Sequence, residues 1–232
     1  MIEGYDINKP LIILASGPSA RKIKSSNNYY IACVNLSSTL VDVTDFWIMN
    51  DANCLNEFSK EKLSTIRNVC LPEYPHSVLP GTYKPHLDYD YKKVTNHLPK
   101  HINVIPFSIF TMPNIDNFLP NFFVNSTGES AIQFFNYHKF KKIVMIGFDS
   151  TGGRSKNIPS KLVGASEKGI FSEHCESPER YLQSWNSIVS YASKNNIQIA
   201  KIEIPIDCEV DNKLIDSITW DWDATREIKV YT

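Results

Sequence analysis

This chain of 232 residues predicts an α/β fold with a mainly parallel sheet and helices on both faces. Three observations carry that prediction. Short apolar runs, mostly unalternated and hence suited to burial on both faces, alternate with helical segments. The length is sufficient for one full hydrophobic core, so a single domain over residues 1–232 is expected. Several of the runs end in small polar turns, the position at which open parallel sheets bind ligands.

The first run is Leu11–Ala15, followed by Ser16-Gly17-Pro18-Ser19 and then Ala20-Arg21-Lys22-Ile23. This order predicts a strand, a tight turn and a helix opening at once, the start of a Rossmann-like mononucleotide unit. Gly17 lets the backbone approach a ligand, and Ser19 supplies an N-cap. The free N–H groups and positive end of that helix would face an anion. The same pattern also fits an ordinary capped strand–helix junction. Further strands are expected at Tyr30–Val34, ending in Asn35, and at Phe46–Met49, ending in Asn50. Val69–Leu71, Val104–Phe107 and Phe122–Val124 follow. The last of these leads into Asn125-Ser126-Thr127-Gly128-Glu129-Ser130, a second small-residue turn that opens a helix from Thr127 to Tyr137 with Ala131, Ile132, Phe134 and Phe135 on its apolar face. Ile143–Ile146 ends in Gly147-Phe148-Asp149-Ser150, and Ile197–Ile204 is the final expected strand. Between them lies the longest helix, Ser177 to Asn195. Ser177 is its N-cap, Pro178 occupies the first turn, and Tyr181, Leu182, Trp185, Ile188, Val189 and Ala192 form its apolar side.

Two segments break the alternation. Pro72 to His101 holds four prolines among tyrosines and histidines and is expected to be an irregular excursion. Ser150 to Glu173 is rich in Gly, Ser and Lys and follows a strand's carboxyl end, as an active-site lid does. Its charges lean positive through Arg154, Lys156, Lys161 and Lys168, which suits closure over a phosphate; a solvated loop is the alternative.

Composition narrows the function classes. The net charge is −1, so no whole-molecule field favours nucleic acid or an acidic membrane. Five cysteines, odd in number and without a CxxC pair, indicate free thiols in a reducing compartment, with Cys33 and Cys70 in core runs. No apolar run has the length of a membrane span and the N-terminus does not resemble a signal peptide, so a soluble, cytoplasmic protein is expected. There is no HExxH, GxSxG or GxxxxGK[ST] motif. Asp88-Tyr89-Asp90 and Asp221-Trp222-Asp223 follow no clear strand and are expected to be solvated rather than metal-binding.

The strand-end amides and hydroxyls suit recognition of a neutral base and a ribose, and the two expected helix N-termini suit phosphates. Each Asn taken alone also fits a turn or cap, and Asp149 fits either a sugar ligand or a helix cap. His174, between the lid and the longest helix, is the candidate for acid–base chemistry near neutrality. Adjacent side chains ordinarily point apart, so its neighbour Cys175 is not expected to act as a nucleophile.

This constellation resembles the bacterial sialyltransferases of glycosyltransferase family 42. The resemblance runs from about Leu11 to Ile204 and is strongest in Gly17-Pro18-Ser19, in Ser126-Thr127-Gly128-Glu129-Ser130-Ala131 followed by Lys142 to Asp149, and around His174. It implies a sialyltransferase-like fold, a GT-A variant. It also implies a CMP-sugar donor held by Gly17, Pro18, Ser19, Asn35, Asn50, Ser126, Thr127 and Gly128, with His174 as general base and neither metal nor cofactor. The acceptor would be a glycan or another hydroxyl-bearing molecule, and association into homo-oligomers is compatible with it. Ser16 stands where the family usually has Asn. The lid has no tyrosine between Ser150 and Ile170, so Arg154 and Lys156 would neutralise the departing phosphate. Phe122, Phe123 and Val124 stand where the family places an arginine. Two other functions share these features. One is an ATP- and magnesium-dependent diphosphotransferase like the archaeal 6-hydroxymethylpterin diphosphokinases, and the other is a nucleotide-binding protein of the same fold without catalysis.

Overall fold

The structure, a computed structural model, describes residues 2–50, 55, 58–72, 91–108, 126–149, 155–156, 158, 178–204, 212–222 and 225–229. Its strands are β1 (Leu11–Leu14), β2 (Tyr30–Val34), β3 (Thr44–Ile48), β4 (Ile66–Pro72), β5 (Asn103–Phe107), β6 (Lys142–Ile146), β7 (Gln198–Glu203) and β8 (Thr225–Lys229). They form one eight-stranded sheet in the order β5-β4-β3-β2-β1-β6-β7-β8, and every neighbouring pair is parallel. The helices are α1 (Lys60–Leu63), α2 (Tyr91–Asn96), α3 (Thr127–Tyr137), α4 (Pro178–Lys194) and α5 (Asn212–Asp216), with a 3₁₀ helix at Asn35–Leu40.

The unalternated apolar runs are buried on both faces, as their composition requires. Ile12 and Leu14 of β1 enter one core with Trp47, Val144 and Ile202, covered by Leu36 and Leu40 of the 3₁₀ helix and Ile215 of α5. Leu11 and Ile13 enter the other core with Phe46, Ile48 and Met145, covered by Phe134 and Phe135 of α3 and Trp185 and Ile188 of α4. Each such side chain stabilises the fold by about 1.5–3 kcal/mol on burial. Cys33 and Cys70 are buried there as free thiols, and burial pushes the Cys33 thiol up to about 12.

Order in the sheet positions the site. The chain lays β1 to β5 side by side in one direction and then returns to place β6 on the other edge of β1. The strand order therefore reverses between β1 and β6, and a crevice opens beyond their carboxyl ends. At the opposite, amino-terminal edge the polar groups are closed on one another. Arg67 and the Ile31 N–H both hold Asp45, at 2.6 and 2.9 Å, and Asn68 donates to the Asp45 carbonyl and to Tyr5 Oη. Burial raises the Asp45 carboxyl above its ordinary range despite Arg67.

Four expectations need correction. No helix follows the first turn. Ile23 makes an isolated parallel bridge with Val41, its N–H donates to Leu40 O at 3.1 Å, and the Ser25 N–H donates to Asp42. Tertiary partners thus claim the amides that a helix would have used. Second, β8 was not expected, because Arg226, Glu227 and Lys229 give Thr225–Lys229 the charge of an exposed edge strand rather than the look of a buried one. Third, the excursion from Pro72 to His101 contains α2 and β4 ends within it. Fourth, Leu182 does not belong to the buried side of α4; it is 49% exposed. The expected strand Phe122–Val124 lies outside the described residues, as do Asp88, Asp90, Asp223 and most of the expected lid. Of that lid, Ser155 is docked on the first turn, its N–H on Ser16 O at 2.8 Å and its hydroxyl on Ala20 O at 2.6 Å, while Ile158 is buried in the first core. Among the described residues no helix is long and apolar enough to cross a membrane.

Candidate functional site

The site begins with two loops that cross at the switch point. The ladder between β1 and β6 continues past both strands, through Ala15 N–H on Ile146 O (2.8 Å) and Gly17 N–H on Gly147 O (3.0 Å). A Cβ on Gly17 would lie 2.5 Å from Gly147 O, so only glycine permits this approach. Gly147 is in the left-handed region at φ +78°, and a Cβ there would lie 2.7 Å from Ala15 O. The close approach required of Gly17 is thus to the β6 loop.

Ser19 also has a different partner from the one expected. Its N–H and its hydroxyl both donate to Asp149 Oδ2, at 2.8 and 2.9 Å, and its oxygen accepts the Gly147 N–H at 3.2 Å. The Arg21 guanidinium, itself buried, donates to Pro18 O at 2.6 Å and Ala20 O at 2.9 Å and sets the shape of the turn from behind. Asp149 is therefore the residue that locks the two loops together. Both bonds fall on Oδ2, and among the described residues Oδ1 makes none.

The wall opposite is the start of α3. Ser126 is its N-cap and accepts the Glu129 N–H at 3.2 Å. Capping uses the third amide of the helix; those of Thr127 and Gly128 have no intrahelical acceptor, and both residues line the crevice. Gly128 makes room for Phe148, whose Cε1 would be 2.6 Å from a Cβ. Asn35, at the end of β2, has φ 51°, a conformation that asparagine tolerates. Trp47 Nε1–H donates to its carbonyl at 2.6 Å, and its amide Nδ2 reaches Thr127 Oγ1 at 3.4 Å. Among the described residues its Oδ1 is buried without a partner. A buried acceptor left open beside helix-end amides is a feature that a ligand donor would complete.

These elements enclose a cavity of about 190 Å³ lined by Ser16, Gly17, Asn35, Ser126, Thr127, Gly128 and Asp149, with Ala15, Val34, Gly147 and Phe148 between them. Residues singled out at separate strand ends thus meet in one place. Pro18 and Ser19 are not in the lining. Asn50 is not in the lining; it is buried and accepts from Ser130 Oγ at 2.7 Å, tying β3 to α3. Lys156 is exposed and outside the lining. Arg154 and His174 lie outside the described residues. The sequence reading missed that Tyr181, Ser184, Trp185 and Ile188 of α4 also line the cavity. Tyr181, Trp185 and Ile188 belong to the apolar side expected of this helix, a pattern that core packing explains equally well. The one available signal was Ser184, a hydroxyl within that stripe, which bonds Ser126 Oγ at 2.6 Å.

A larger groove of about 550 Å³ runs between α3 and α4, lined by residues such as Gln133, Asn186, Tyr191 and Lys194. Among the described residues only those of the two helices line it, without the converging strand-end amides that distinguish the smaller cavity. Among the described residues no group of three His, Cys, Asp or Glu side chains is placed to hold a metal ion. The chain matches no protein-family model, no curated protein and no solved structure.

Proposed function

We propose that this protein is a sialyltransferase-like glycosyltransferase that moves a sugar from a CMP-linked donor to an acceptor hydroxyl. One observation carries the reading. Ser16 and Gly17, Asn35, Ser126-Thr127-Gly128 and Asp149, from four separate connections, line a single cavity at the point where the strand order reverses. The α3 amides suit the donor phosphate, and Asp149 Oδ1 and the open Asn35 Oδ1 suit hydroxyl or amino donors of the ribose and base. In the reaction the acceptor oxygen attacks the anomeric carbon while the bond from that carbon to the phosphate oxygen breaks. The nucleoside monophosphate leaves with the bonding electron pair, and His174 takes the acceptor proton. Arg154 and Lys156 neutralise the departing phosphate.

Thermal denaturation with CMP, CDP, UMP, UDP, ADP and ATP, each with and without magnesium, tests the donor. A cytidine nucleotide at a hundredfold excess over its Kd should stabilise the protein by about 2.7 kcal/mol, independently of magnesium. No response to any cytidine nucleotide sinks the donor assignment, and a magnesium-dependent response to ATP alone identifies a diphosphotransferase instead. His174→Ala should keep the CMP response and lose transfer by about 10²–10⁴-fold. Full activity in that variant would remove His174 from the mechanism, and CMP binding without turnover in the parent protein would indicate a non-catalytic nucleotide binder.

A further inference from the structure

Two hydroxyls meet in the cavity wall. Ser126 caps α3, Ser184 stands on α4, 58 residues further along the chain, and both line the cavity. Their oxygens are 2.6 Å apart, and either one could be the donor. A serine hydroxyl has one proton to give and two lone pairs to receive. Ser126 Oγ already receives the Glu129 N–H at 3.2 Å. If Ser184 donates, both lone pairs of Ser126 are filled and the Ser126 proton is left over. If Ser126 donates, the Ser184 proton is left over. Two protons share one bond, so in either arrangement one of them has no acceptor among the described residues. Ser184 is only 9% exposed, and polar groups so far from solvent ordinarily have all the partners they can take.

We propose that the Ser126–Ser184 pair gives this remaining proton to a phosphoryl oxygen of the bound nucleotide, which makes Ser184 of α4 a phosphate-binding residue. This rests on the nucleotide reading of the cavity. The pair stands beside the N–H groups of Thr127 and Gly128, which have no intrahelical acceptor, and the N-terminal end of a helix favours an anion. A hydroxyl that donates to a charged oxygen makes a short, charge-assisted bond. The proton is presented from whichever of the two oxygens lies nearer the phosphate, because the bond between them reverses by rotation of the hydroxyls alone.

The test is a double-mutant cycle of the full chain, Ser126→Ala, Ser184→Ala and both together, titrated calorimetrically with CMP and with cytidine, which has the base and sugar but no phosphate. Each single variant keeps one hydroxyl and its proton, and the double variant has neither. For CMP the loss in the double variant should therefore exceed the product of the two single losses by about tenfold or more, the scale of one hydrogen bond to a charged group. Cytidine should show no such excess. The cycle cancels whatever the lost cap of α3 does by itself. A bond that only ties α3 to α4 gives the opposite sign, because either single variant already breaks it and the double loss falls short of the product. A CMP loss at or below the product, or an equal excess for cytidine, overturns the phosphate role while leaving the donor reading intact. If a different nucleotide binds and shows the excess over its own nucleoside, the hydroxyl role holds and the CMP assignment falls. Binding of no nucleotide overturns both.

Discussion

Gly17→Ala is expected to lower the melting temperature by about 6–12 °C and to abolish the response to CMP. The new Cβ would sit 2.4 Å from Asp149 Oδ2 and 2.5 Å from Gly147 O, distances that leave no room for a methyl group. Gly147 O is a backbone carbonyl in the loop that itself packs on Ala15 and cannot yield cheaply, while the Asp149 carboxylate must swing away. Overpacking of this kind costs about 3 kcal/mol, which for a chain of this size corresponds to the stated shift. The displaced carboxylate would release Ser19 and separate the loops that form the cavity wall, so binding is lost together with stability. Gly147→Ala meets Ala15 O at 2.7 Å and adds the strain of φ +78°, and should behave alike. Parallel thermal denaturation and CMP titration check both; a variant with parental stability and affinity would show that the loops are not locked in this way.

His138 should make the protein acid-sensitive. It follows α3, is 8% exposed, packs against Phe134 at 4.6 Å between ring centroids and among the described residues has no hydrogen-bond partner on either ring nitrogen. Burial lowers its pKa to about 4 from the ordinary 6.5. The unfolded chain therefore takes up a proton at about pH 6.5, and the folded protein takes it up only near pH 4. Between these values the unfolded state binds more protons, so stability falls as the pH falls. The contribution is complete above about pH 6.5 and is lost by about pH 4, amounting to about 3 kcal/mol. His138→Phe keeps an aromatic ring against Phe134 and removes both the titration and two unsatisfied nitrogens. Urea denaturation from pH 8 to pH 4 should show a steeper decline for the parent protein than for this variant. Curves that stay parallel across that range would exclude His138 as the cause.

The strands and most cavity residues were legible because local chemistry announces them. Leu11–Leu14, Tyr30–Val34 and Lys142–Ile146 are apolar without alternation, and a parallel sheet is the structure that buries both sides of such runs. Ser126-Thr127-Gly128 signals a capped helix start, which is how α3 begins. Ser16-Gly17-Pro18-Ser19 carried the same signal and ended differently. A capping hydroxyl binds whichever partner lies nearest, and for Ser19 that is Asp149, 130 residues further along the chain.

The residue types at the strand ends were therefore written into the chain, and so were the burial of the strands and the α/β class. The strand order was not, since every parallel arrangement buries the same side chains. Packing placed β6 beside β1, brought Asp149 to Ser19 and turned the N-terminus of α3 toward Asn35. It also divided the aromatic residues of α4, burying Trp185 at the cavity wall and leaving Leu182 in solvent. Periodicity assigns a residue to a face of its helix, but only the position of the neighbouring elements makes that face core, cavity or surface.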